Sequence, residues 1–179
     1  RAFDGPLWAL GALDVPGGEL VIATGVEDHP LDRREGFFGY VDSFVYGMFR
    51  PTGSARPGAL AATFALDASD LGVVVPKALA FTAGGAAPEV VVSAGGSPAA
   101  LVLAFRDGPE KAPKVEVRPA LPGASALAVG PTGLVAANPL LDAWVAPDGI
   151  PRLLRDGADA RRSERSRVGE ALFFTELIA

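Results

Sequence analysis

The chain has 179 residues, 49% hydrophobic and 21% charged, which is enough apolar material for one domain with a real core and too much for a disordered segment. Its net charge of −5 offers no diffuse attraction to nucleic acid or anionic lipid, so no nucleic-acid role is expected. With no cysteine it excludes disulfides, thiolate zinc sites, a cysteine nucleophile and haem attached covalently through this chain.

Glycine (22) and proline (16) exceed a fifth of the residues, a composition that favours many turns between short strands. The predicted strands run in three groups of four: first LWALGAL (7–13), ELVIATG (19–25), FVYGMF (44–49) and LAATFAL (60–66), then KALAF (77–81) and EVVVSA (89–94). They continue with ALVLAF (100–105) and KVEVRPAL (114–121), and then SALAV (125–129), GLVAAN (133–138), DAWV (142–145) and RLLR (152–155). Each is apolar or alternating and is bounded by Gly, Pro, Asp or Ser. No apolar run approaches the roughly 20 residues that cross a bilayer, so no membrane span is expected. The sequence opens at Arg1 with no visible signal peptide, as a mature or trimmed product does.

Stacking the segments reveals a repeat. ALAF (78–81) matches ALAV (126–129), VVVSAG (90–95) matches LVAAN (134–138), and LVLAFRDG (101–108) matches DAWVAPDG (142–149) with DG in register. The spacing is about 41 to 48 residues, the length of a four-stranded propeller blade. The expected fold is all-β: about three propeller blades near 7–66, 77–121 and 125–155 within a portion spanning 1–157, then a helical segment in 158–179. A β-sandwich of about a dozen strands is the alternative. Propellers close with four to eight blades, so three leave sheet faces and edges uncovered. The remaining blades are expected on the same polypeptide or on another chain.

The first group carries a long insertion, GVEDHPLDRREGFFGYVDS (25–43), read as a loop on the rim where the connections between blades also lie. It holds the one histidine, His29, with Glu27, Asp28, Asp32, Arg33, Tyr40 and Asp42, which are the candidates for a ligand site or interface. Imidazole with carboxylates suits a divalent cation, which makes His29 and Asp28 weak metal candidates. The competing reading is a solvated charged loop with local ion pairs. A single histidine cannot supply the three His ligands of a catalytic zinc, and no G-x-S-x-G elbow provides a nucleophilic serine. No catalytic residue is therefore assigned. AGGAA (83–87) and AGGS (94–97) lie between strands and read as turns. Trp8, Trp144, Phe64, Phe81 and Phe105 fall inside strands and read as core.

The pattern changes after residue 157. Val168, Ala171, Leu172 and Leu177 have helical spacing, which predicts a helix over 160–176 with the RRSERSR run as its wet face. In RVGEALFFTELIA (167–179), Gly169, Leu172, Phe173, Phe174 and Leu177 match a G-x-x-L-F-F segment. That stretch resembles the opening of the di-haem cytochrome c peroxidase and MauG-like family, in which such a helix precedes the first C-x-x-C-H haem site. The preceding repeats resemble YVTN-type β-propellers, which occur fused ahead of such domains.

The resemblance implies a non-catalytic propeller portion of a periplasmic or extracellular haem protein, serving partner docking or scaffolding. Any peroxidase-type chemistry would lie in the longer protein. The resemblance also implies haem c in a continuation or partner and none in this chain, with Val168, Leu172, Phe173 and Phe174 contacting the partner domain. The alternatives are part of a metal-dependent, lactonase-like hydrolase propeller, or a purely structural interaction propeller.

Overall fold

The computed structural model describes residues 5–29, 40–53, 60–82, 87–139, 141–153 and 163–174. They form twelve strands in three four-stranded antiparallel sheets, each with its strands in chain order. The first sheet is β1 (Leu7–Val15), β2 (Gly18–His29), β3 (Tyr40–Pro51) and β4 (Ala61–Asp67). The second is β5 (Pro76–Thr82), β6 (Glu89–Ala94), β7 (Ala99–Ala104) and β8 (Lys114–Pro119). The third is β9 (Ala126–Gly130), β10 (Gly133–Asn138), β11 (Ala143–Val145) and β12 (Pro151–Leu153).

The three sheets stack side by side, with β5 between β1 and β9. Meandering sheets whose first strands lie next to one another are arranged as propeller blades, and the two stacked sheets of a sandwich are not formed. The repeat seen in the sequence maps onto this directly. ALAF and ALAV are β5 and β9, VVVSAG and LVAAN cover β6 and β10, and the DG turns follow β7 and β11.

The middle blade explains its own composition. Val90, Val92, Leu101 and Leu103 are fully buried and pack with Leu20, Ile22, Val45 and Phe105 toward the first blade. On the opposite face Val91, Ala100 and Val102 pack with Leu127 and Leu134 of the third. Side chains alternate across a strand, so a sheet covered on both faces needs apolar residues in unbroken runs. VVVSA and LVLA are such runs. β10 and β11 have few fully buried positions, and on β1 Leu7 is 57% and Leu10 68% exposed.

The first two blades approach closely at their inner strands because Gly11 has no side chain. A Cβ there would lie 2.5 Å from Leu79 Cδ1 and 2.7 Å from Phe81 Cε2. Phe64 and Phe105, with ring centroids 6.0 Å apart, fill the same interface farther out. Phe64, Phe81 and Phe105 are therefore core residues, as their positions in strands predict.

The two tryptophans depart from that prediction. Trp8 is 44% exposed, and Trp144 is half-buried under the Arg152 guanidinium, 5.1 Å from the ring centroid. Arg152 also pairs with Asp148 across the β11–β12 turn, Nη2 to Oδ2 at 2.5 Å. With the Ile150 amide, that bond holds the Asp148 carboxyl down to about 2.

The helix α1 spans Glu164–Phe174, inside the predicted 160–176. Ser163 caps it, its Oγ accepting from the Ser166 amide at 3.1 Å. Val168 is 47% and Phe173 77% exposed, and Leu172 is half-buried. Phe174 ends the helix, and Arg165 is exposed as predicted. Arg161, Arg162 and Leu177 lie outside the described residues. Among the described residues no helix is long and apolar enough to cross a membrane.

This packing predicts a contrast between two leucines. Leu101→Ala empties a fully buried site between blades and should cost about 2–5 kcal/mol in chemical denaturation. Leu10→Ala, on the exposed face of β1, should change the stability of residues 1–179 by no more than about 0.5 kcal/mol.

Candidate functional site

Residues 25–43 are not one long loop. β2 runs on to His29 and β3 begins at Tyr40, so much of the predicted insertion is a continuous antiparallel ladder. Glu27 pairs with Asp42, Asp28 with Val41 and His29 with Tyr40. β1 stops pairing at Gly25 and β4 stops at Phe44, so the hairpin stands beyond the sheet by about four residues, roughly 13 Å. Asp32 and Arg33 lie outside the described residues.

Alternation puts Glu27 and Asp42 of this projection on the same face as Phe44 and Tyr46 at its base. The Tyr46 hydroxyl donates to Glu27 Oε1 at 3.1 Å, and its ring stacks on Phe44 with centroids 5.6 Å apart. Among the described residues, no three His, Asp or Glu side chains come together as a metal-binding group.

The base of the hairpin is tied to the next blade by hydroxyl groups. The connection from β4 to β5 passes through a 3-10 turn at Ser69–Leu71 and then bends at Val75, whose φ of 56° is unfavourable for a β-branched residue. Buried Ser43 holds that bend, its Oγ accepting from the Val75 amide at 3.0 Å. Ser69 Oγ accepts from the Ser43 amide at 2.8 Å, and Ser97 Oγ accepts from the Val74 amide at 3.2 Å. Buried Thr24 donates to the Pro76 carbonyl at 2.6 Å. Asn138 does the equivalent for the next connection, its Nδ2 donating to the Pro122 carbonyl at 2.5 Å. These bonds satisfy backbone groups of two connections that lack ladder partners.

The bend delivers Lys77 to the inner rim. β1 and β5 carry a register shift at the same place, between Leu7 and Ala9 and between Pro76 and Ala78. The extra residues are Trp8 and Lys77, and a bulge re-aims the residue it inserts. The Lys77 ammonium lies over the Trp8 ring, 5.4 Å from the centroid, and its stem runs across Gly95. With Ser125, which occupies the place of Lys77 in the third blade, they line a recess of 440 Å³.

Neither Trp8 nor Lys77 stands out in the sequence as a site residue, because one reads as core and the other as a strand end. The signal was the repeat itself, in which KALAF and SALAV align Lys77 with Ser125. No protein-family model, curated protein or solved structure matches this chain.

Ser43→Ala should therefore do more than remove a hydroxyl. It strips the Val75 amide of its acceptor and should cost about 1–3 kcal/mol. The same variant should change Trp8 fluorescence, because the bend that sets Lys77 over the indole loosens. Stability and emission are both read in one thermal melt of the single variant.

Proposed function

We propose that the chain is a non-catalytic propeller portion that scaffolds and docks a partner within a periplasmic or extracellular c-type haem redox protein. The observation that carries the scaffold reading is the inequality of the blades. The middle sheet is buried on both faces, and its neighbours keep apolar positions such as Leu10 and Val129 in contact with solvent. Soluble proteins seldom leave rows of this kind uncovered, so further blades are the natural cover, on the same polypeptide or another chain.

Docking falls to the rim. There the projecting β2–β3 hairpin carries Glu27 and Asp42 above Phe44 and Tyr46 of the sheet, and the inner strands offer Trp8 and Lys77. These side chains are suited to holding a partner and form no nucleophile–base pair. The link to haem comes from the G-E-A-L-F-F segment at 169–174, which follows the blades in the order seen when propellers precede di-haem peroxidase and MauG-like domains. Exposed Val168 and Phe173 in α1, with Leu172, are the side chains offered to that domain. Haem chemistry would belong to the continuation or partner, since this chain has no cysteine.

The test joins sequence and spectrum. The reading of the full-length coding sequence should show C-x-x-C-H motifs after residue 179, and the protein purified from a cytochrome c-maturing host should show covalent haem absorption. A full-length sequence with no such motif, and no haem-bearing chain co-purifying, would remove the redox reading and leave the scaffold.

A further inference from the structure

The inner strands of the three blades carry one short pattern in the same place. It is Ala9, Leu10 and Gly11 in β1, Ala78, Leu79 and Ala80 in β5, and Ala126, Leu127 and Ala128 in β9. In β1 and β5 it follows directly on the bulge at Trp8 or Lys77, so these copies hold equivalent positions in their ladders. Side chains alternate along a strand, so in each blade the leucine and the small residue after it point to opposite faces.

Both interfaces between blades use this pair in the same direction. Leu79 of the second blade approaches Gly11 of the first so closely that a Cβ at Gly11 would lie 2.5 Å from Leu79 Cδ1. Leu127 of the third blade packs against Val91, Ala100 and Val102 of the second, the face on which Ala80 pairs with Val91. Each leucine therefore meets the face that carries the small residue of the preceding blade. Blades converge at their inner strands, and close-packed interiors leave a leucine room there only where its neighbour is small.

Each end of the fan keeps one half of the pair unused. Ala80 is 8% exposed beside the third blade, and its equivalent Ala128 is exposed. Leu79 and Leu127 are half-buried, and their equivalent Leu10 is 68% exposed. Ala12, two residues on in β1, shares the open face of Leu10. Both existing interfaces join blades that are consecutive in the chain, through connections at 68–75 and 120–125. The face of Leu10 continues that series by one step.

We infer that the open face of the first blade is covered by a preceding blade of the same polypeptide, whose inner strand repeats the Ala-Leu-Gly or Ala-Leu-Ala pattern and sets its glycine or alanine against Leu10. The inference rests on the scaffold reading above and adds which blade covers this face and through which residue.

The test uses the full-length protein. Its coding sequence should show the Ala-Leu-Gly or Ala-Leu-Ala pattern in the blade that precedes Arg1. In chemical denaturation Leu10→Ala should lower the midpoint by at least half the shift given by Leu79→Ala. Leucine in place of the upstream glycine or alanine should also lower the midpoint, and adding Leu10→Ala should restore at least half of that loss. If the upstream variant does not fold, the coding sequence and the comparison of Leu10→Ala with Leu79→Ala still decide. A midpoint unmoved by Leu10→Ala means that the face is uncovered, and overturns the inference together with the scaffold reading. A full shift without the upstream pattern, or without rescue, means a different cover, which overturns the inference and leaves the scaffold standing. A dimer in solution that Leu10→Ala dissociates puts a second copy on the face and likewise overturns the inference.

Discussion

A four-stranded sheet with apolar side chains on both faces has to be covered on both, and the rest of this structure depends on that constraint. β6 and β7 meet it through Leu20, Ile22 and Phe105 on one side and Leu127 and Leu134 on the other. Because hydrophobic burial is non-directional, it presses the blades together without setting their register. Register comes from directional bonds at the connections. Thr24 and Ser43 fix the first connection and Asn138 the second, each by a buried polar side chain on a backbone group.

The same division between apolar filling and polar fastening positions the rim. The strained backbone at Val75 is held in place by the Ser43 hydroxyl, and two residues later Lys77 bulges out over Trp8. The hairpin carrying Glu27, Asp42 and Tyr46 rises from the same buried base. On that rim Trp8 and Lys77 are exposed, and Glu27, Asp42 and Tyr46 are half-buried. The difference between the two interfaces follows as well. Phenylalanines close one tightly, and alanines leave room in the other.

The blades were legible because the repeat is written in strand-length apolar runs, and EVVVSA and GLVAAN match β6 and β10 end to end. Shorter elements drifted by a residue, as at β12, which begins at Pro151, one residue before the predicted RLLR (152–155), whose last two residues lie outside the described ones. The hairpin beyond Gly25 was not legible as strand. VEDH lacks the alternation of a half-buried strand, since it projects past the core and its pairing is held by the ladder alone. Trp8 read as core because an aromatic residue in a strand usually is. The register shift beside it depends on pairing with β2, which no local pattern reveals. The hydroxyl ties were hidden for the same reason: Ser43 and Val75 are 32 residues apart.

The central claim is that each blade is stabilised by what covers its faces, and that the outer faces of this fan are covered in the whole protein. Amide hydrogen exchange tests it most directly, comparing full-length protein with isolated residues 1–179. The account predicts that Val91, Val92, Leu101 and Val102 remain the slowest-exchanging amides in both. It also predicts that β1 and β10 lose protection when the rest of the polypeptide or its partner is removed. Equal protection of β1 and β10 in the two samples would contradict it.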